Sequence, residues 1–270
     1  MSQAPKSQRE AAKEYFQMLA EIGVTKHLGS LDATHEILDK AQIDDESLVL
    51  DVGCGIGLTP AYLVRRYGAR VIGIDLTYRM LERARQEARD RHVEDRVAYC
   101  VADAQALPFA DGAFDTVMAE SVYVFVPDRS RALNEAVRVV EAGGRVGVTE
   151  STWLVEPDGE AEAFMASIGG KPLEEQDWVA LMEGAGLEDI ASTISRVDVR
   201  AEARGRLERF GCRSLLRILV QFIPALMRSR ESRRVIDRAL GSAPGKIARE
   251  MGYGVYTGRK PDDGGFAIDD

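Results

Sequence analysis

The chain has little cysteine: Cys54, Cys100 and Cys212 lie far apart and form no CxxC pair or Cys/His metal spacing. A disulfide framework and a structural zinc site are therefore excluded, no metal is expected, and buried free thiols are the expectation. It also lacks a long apolar run. The longest, Leu215 to Met227, is broken by Arg217 and Gln221 and falls short of the ~20 residues that cross a bilayer as a helix. The opening MSQAPKSQRE has no apolar core followed by small residues, so a cytoplasmic rather than a secreted location is expected. With 45% apolar and 29% charged residues over 270 positions, disorder and fibrous repeats are excluded. One large α/β domain with an elaboration, or two small domains, fits this length.

Basic charge is scarce except in one place. The formal charge of −9 divides into −15 over residues 1–195, +9 over residues 196–249 and −3 over the tail. The acidic remainder argues against nucleic-acid binding, which needs clustered Lys and Arg. Within the cationic island, Leu215, Ile218, Leu219, Phe222, Ile223 and Leu226 have helical spacing. Arg209, Arg213, Arg217, Arg228 and Arg230 flank them, and Pro224 kinks or ends the helix. Such a helix suits peripheral contact with an anionic membrane, a cover over an apolar pocket, or a core-facing element with solvated arginines.

Short apolar runs alternate with longer amphipathic segments. Leu48–Leu50, Val71–Ile74, Val97–Val101, Phe114–Ala119 and Val146–Thr149 each run into a carboxylate, respectively Asp51, Asp75, Asp103, Glu120 and Glu150. Apolar runs separated by helix-length segments are the pattern of buried parallel strands. The reading is α/β, a doubly wound and mainly parallel sheet. Segments 59–67, 77–91 and 129–140 read as crossover helices. Residues 175–184 read as a further helix, with strands at 190–199 and 253–259. Ligands of open parallel sheets bind beyond the carboxyl ends of the strands, so the five carboxylates are expected on the ligand edge.

Asp51-Val52-Gly53-Cys54-Gly55-Ile56-Gly57 follows the first strand and opens a helix. Glycines there permit positive φ and close approach of a ligand to the backbone. The dinucleotide fingerprint would need glycine at 58, where Leu58 stands. An ionised Asp51 would repel pyrophosphate and attract an ammonium group. Asp75 stands where a strand-end acid accepts from ribose hydroxyls, and Asp103 could accept from an adenine amino group. An isolated Asp is more often a turn or cap acid; five strand-end acids with the glycines make the nucleoside reading the better one.

As a set, DVGCGIG, GID at 73–75, VADAQALPFADGAFDTV at 101–117 and EAGGRV at 141–146 resemble the class I S-adenosylmethionine-dependent methyltransferases, in particular the small-molecule branch with the ubiquinone and menaquinone methylases. The resemblance implies a seven-stranded Rossmann-like sheet and S-adenosyl-L-methionine as cofactor. It implies cofactor contacts at Gly53, Gly55 and Gly57, ribose at Asp75, adenine at Asp103 with Ala104, the methionine amino group near Asp51, and packing of Leu76 and Met80 beside the adenosine. Glu120, Ser121, Tyr123, Thr149, Glu150 and Trp153 are expected to face the acceptor, and Glu120 is also a cofactor candidate. No catalytic base is assigned. Tyr15 and His27 are candidates for a lid. The expected organisation is an N-terminal helical lid (1–47), a cofactor-binding core (48–199), a basic helical insertion (200–249), and a last strand and tail (250–270). The expected reaction is methyl transfer to a small apolar or lipid-like acceptor. The competing readings are an NAD-dependent oxidoreductase and a noncatalytic cofactor-binding member.

Overall fold

The computed structural model describes residues 7–22, 30–196 and 249–262. Strands β1 (Leu48–Val52), β2 (Arg70–Asp75), β3 (Val97–Val101), β4 (Phe114–Glu120) and β5 (Val140–Trp153) run parallel in one sheet. A two-residue β6 (Leu173–Glu174) pairs with the end of β5. The sheet is completed by β7 (Glu188–Arg196) and β8 (Met251–Arg259), with β8 antiparallel to both β5 and β7. The spatial order is β3-β2-β1-β4-β5-β8-β7. It reverses between β1 and β4, so a crevice opens there at the carboxyl edge. The doubly wound expectation holds, and the one antiparallel strand is the last.

Successive side chains of a strand point to opposite faces, and the two cores follow that alternation. On one face Val49, Met118 and Val255 pack with Ala33, Ile37 and Leu38 of α2 (Ser30–Ala41) and Leu63 of α3 (Leu58–Tyr67). On the other, Leu50, Val117, Ala119, Val148 and Tyr256 pack with Leu133 and Ala136 of α5 (Arg129–Val139) and Trp178 and Met182 of α7 (Glu175–Gly184). Helix α4 (Tyr78–Asp90) buries Met80, Leu81, Ala84 and Ala88, the four positions its spacing points inward. The N-terminal α1 (Gln8–Ile22) begins in a capping box: Ser7 Oγ accepts from the Glu10 amide at 3.3 Å, and the Ser7 amide donates to Glu10 Oε2 at 2.9 Å.

Two expectations are corrected. β3 is the sheet edge and Ala98 and Val101 are exposed, so its apolar run is not buried on both faces. Ala142, Gly143 and Gly144 lie inside β5, where the register against β4 shifts between Phe114 and Thr116. The carboxylates also do not all stand at strand ends, since Asp51 is the fourth residue of β1 and Glu150 lies within β5, paired with Gly254. Among the described residues of 1–47, α2 packs beneath the sheet, and α1 lies at the ligand edge, where Leu19 packs on Ile56, Leu58 and Met80.

Candidate active site

The turn after β1 carries Gly53, Gly55 and Gly57 at φ 72°, 54° and 80°, values that side-chain-bearing residues rarely adopt. A Cβ at Gly53 would collide with the side chain of Val122. At Gly57 it would lie 2.6 Å from the Tyr99 hydroxyl and 2.9 Å from Ala84 Cβ. Gly57 is thus also a packing glycine, letting α3 seat against α4 and β3.

Asp75 ties this turn to β2. Its Oδ2 accepts from the Gly55 amide at 3.1 Å and its Oδ1 from the Thr77 amide at 2.7 Å. Burial raises its pKa, and the two amides pull it back toward the ionised form. Around it, Leu76, Tyr78 and Val101 are 56%, 59% and 49% exposed, an apolar rim at the carboxyl ends of β2 and β3 that no neighbour in the described chain covers. Asp103 Oδ1 accepts from the amide and the side chain of Gln105, both at 3.0 Å, and Ala104 is half-buried next to it. Met80 is 2% exposed and packs under the loop against Ile56 and Leu58. Tyr78 and Val101, missed from the sequence, stand exposed on that rim.

On the other side of the crevice, Asp51 is buried. Glu120 accepts from Thr34 Oγ1 at 2.5 Å and from Thr59 Oγ1 at 2.6 Å, so it links β4 to α2 and α3. Tyr123 is fully buried in the core with Leu133 and Trp178, because the 3-10 turn over Tyr123–Phe125 carries its ring inward. It does not face an open acceptor site. Glu150 is likewise fully buried, with Oε1 accepting from the amides of Val122 at 2.9 Å and Tyr123 at 2.6 Å, and Oε2 from Val124 at 3.1 Å. Burial pushes its carboxyl up to about 7, against the opposing pull of those amides and of Arg129. Ser121 and Thr149 are buried as well, and Trp153 is half-buried. His27 lies outside the described residues, as do residues 197–248 with the basic stripe.

What does stand at this side is aromatic. Phe125 meets Phe16 edge-on at 4.8 Å and Tyr15 in a stack at 6.1 Å, so α1 is latched to the turn after β4. Val124, Met165, Ile168, Met251 and Trp153 extend the same apolar cluster. The YVFV run held the signal for Phe125, but only the sheet order brings it against α1.

A model of the methyltransferase domain matches residues 50–148. The chain is 31% identical over 220 residues to the 27-O-demethylrifamycin SV methyltransferase of Amycolatopsis mediterranei, covering 79% of this chain and 77% of that relative. The chain belongs to the S-adenosylmethionine-dependent methyltransferases. This methyltransferase is also 36% identical over 160 residues to methyltransferase GfsG of Streptomyces halstedii, a match spanning 57% of this chain and 58% of that relative's length. Its fold is that of Haemonchus contortus phosphoethanolamine N-methyltransferase 2, solved with phosphomonomethylethanolamine and S-adenosylhomocysteine, with a TM-score of 0.71 at 17% identity over 95% of this chain and 61% of that one. The methyltransferase is of the class I, small-molecule branch and its cofactor is S-adenosylmethionine; the nicotinamide reading falls with that membership. No described helix is long and apolar enough to cross a membrane.

Proposed function

We propose that this methyltransferase alkylates a small apolar acceptor bound between α1 and the turn after β4. The observation that carries the reading is the aromatic character of that side: the partly exposed Tyr15, Phe16 and Trp153 stand over the buried Phe125, Val124 and Met251. In the proposed cofactor site Asp75 accepts from the ribose hydroxyls, and Leu76, Tyr78 and Val101 flank the adenine with Asp103 and Ala104 at its edge. Gly53 and Gly55 allow close approach of the amino-acid portion, whose ammonium lies toward Asp51. Glu120, bonded to Thr34 and Thr59, holds the first turn of α3 behind the glycine loop.

Bound S-adenosylmethionine supplies an activated methyl on sulfonium. The chain's own part is alignment and exclusion of water: an apolar wall places the acceptor nucleophile about 3 Å from the methyl and keeps the site dry. Tyr123 and Glu150 are sealed in the fold and take no proton from the acceptor in this scheme.

Incubation with methyl-labelled S-adenosylmethionine and separated lipid and aqueous extracts tests the reading. Label in organic-phase product identifies the acceptor class by mass. Transfer solely to aqueous-phase compounds refutes an apolar acceptor, and cofactor binding without transfer to any extract selects the noncatalytic member. The +9 island over 196–249 supports a second proposal, peripheral contact with anionic membrane, since each Lys or Arg near such a surface contributes about 1 kcal/mol. Changing Arg213, Arg217 and Arg228 together to Gln should then weaken low-salt cosedimentation with anionic vesicles; absence of wild-type binding discards it.

A further inference from the structure

We propose that Glu150 is a positioning residue that holds the turn of residues 121–126 as a common seat for the cofactor loop and for α1. The proposal rests on the cofactor reading of the glycine loop given above. Three consecutive amides, those of Val122, Tyr123 and Val124, converge on the two oxygens of this one carboxyl. The carbonyls of the same segment are held from the other side: Arg129 Nε donates to Tyr123 O at 3.0 Å, and Arg129 Nη2 donates to Val124 O at 3.3 Å and to Lys171 O at 2.5 Å. The guanidinium is covered by the Trp178 ring, 5.6 Å from its centroid, and the Trp178 indole donates to Ser151 O at 3.4 Å. A carboxyl on the donors and a guanidinium on the acceptors leave the turn little freedom.

The turn needs holding because it is strained. Ser121 has φ 59° without being glycine, a conformation that persists only when its surroundings over-determine it. Its amide is fixed on Thr149 O at 2.6 Å, one residue before Glu150. The same turn then presents two side chains in two directions. Val122 fills the space that a Cβ at Gly53 would need, so its position sets how far the glycine loop stands from β4. Phe125 receives Tyr15 and Phe16 of α1. If the carboxyl loosens its grip, both contacts shift together, and the loop and the helix lose a shared reference although neither touches Glu150.

Calorimetry with S-adenosylhomocysteine on the full chain tests this through a double-mutant cycle. Glu150→Gln keeps the volume but turns an amide N–H₂ toward backbone donors; Val122→Ala removes the contact with the loop. Each should weaken binding roughly three- to tenfold, the range of couplings carried by packed contacts, and the double variant should bind no more weakly than the worse single one. Unchanged affinity in a folded Glu150→Gln chain, or effects that simply multiply, overturns the proposal. Amide exchange of the wild type supplies the test that needs no variant. The 122–124 amides should exchange as slowly as sheet amides and slow further, together with α1, when S-adenosylhomocysteine is added; exchange at the rate of an open loop overturns the proposal even if Glu150→Gln does not fold. Asp75→Asn is the control that separates the two readings. If the wild type does not bind, or Asp75→Asn binds equally well, the cofactor reading fails and this one with it. If both controls behave and Glu150→Gln is silent, only the positioning role fails.

Discussion

Asp75 offers the sharpest perturbation, because its carboxylate ties the glycine loop to Thr77 and, in the proposed site, also accepts from the ribose. Its two oxygens accept from Gly55 and Thr77 amides at 3.1 and 2.7 Å, and each oxygen has a second lone pair. In Asp75→Asn the remaining carbonyl can still serve Thr77, but the amide nitrogen opposes the Gly55 N–H, donor against donor. A charge-assisted bond to a ribose hydroxyl contributes about 1.5–3 kcal/mol, so its loss should lower affinity roughly 10- to 150-fold at 1.4 kcal/mol per decade. The unsatisfied Gly55 amide, present with or without ligand, instead lowers the stability of the variant by about 1–3 kcal/mol. Titration calorimetry with S-adenosylhomocysteine measures the affinity, and the thermal midpoint of the unliganded variant checks folding. A folded Asp75→Asn protein binding within twofold of wild type would refute the ribose assignment and the reasoning from hydrogen-bond capacity alike.

Gly57→Ala should destabilise the unliganded chain by about 1–3 kcal/mol in urea unfolding, because the new methyl meets Tyr99 and Ala84 at positive φ; an unchanged midpoint would contradict the packing role. Trp178→Ala should cost about 3–5 kcal/mol, since the ring is fully buried and covers Arg129, and a loss under 1 kcal/mol would argue against it. For Glu150 the sign is set by a folded pKa raised to about 7 above an unfolded value near 4.3. The folded chain holds a proton that the unfolded chain releases, so this group's contribution is full below that lower value and is lost as pH rises through about 7, by at most about 4 kcal/mol. Thermal midpoints between pH 5 and 8 should therefore fall more steeply for wild type than for Glu150→Gln; parallel curves would rule that titration out.

The strands were legible where they are central. β1, β2 and β4 bury both faces, so their apolar runs leave little room for another reading, and the glycine turn with Asp75 follows at fixed spacing. Edge position is a property of the whole sheet, which is why Val97–Val101 looked as buried as its neighbours. Helix α2 carries only Ala33, Thr34, Ile37 and Leu38 on its buried stripe, between Asp32, Glu36 and Asp39. It was absorbed into a presumed cover because nothing local tells a helix beneath a sheet from one above its edge. For Glu150 the sequence showed a carboxylate after an apolar run, the same sign as Asp75. What separates them is that β5 continues three residues further, and that three amides, brought from a segment nearly thirty residues earlier, occupy its oxygens. A strand-end acid and a strand-interior acid look alike until the partner strand is known.

The pairing of β7 with β8 bears on how much change in length the chain between them can absorb. Arg196 at the end of β7 is paired with Gly252 near the start of β8, and its guanidinium donates to Arg249 O at 3.0 Å. Residues 197–248 thus depart from and rejoin the sheet at adjacent points, on the edge where the strands deliver their ligands and next to Trp153, which pairs with Met251. Because the two boundary residues are neighbours held by a hydrogen bond, the span between them is closed by the sheet itself, and a change in its length adds only about 0.6 kcal/mol of closure entropy per doubling if it is flexible. Changing the length of that stretch should therefore leave the sheet, the glycine turn and cofactor affinity as they were.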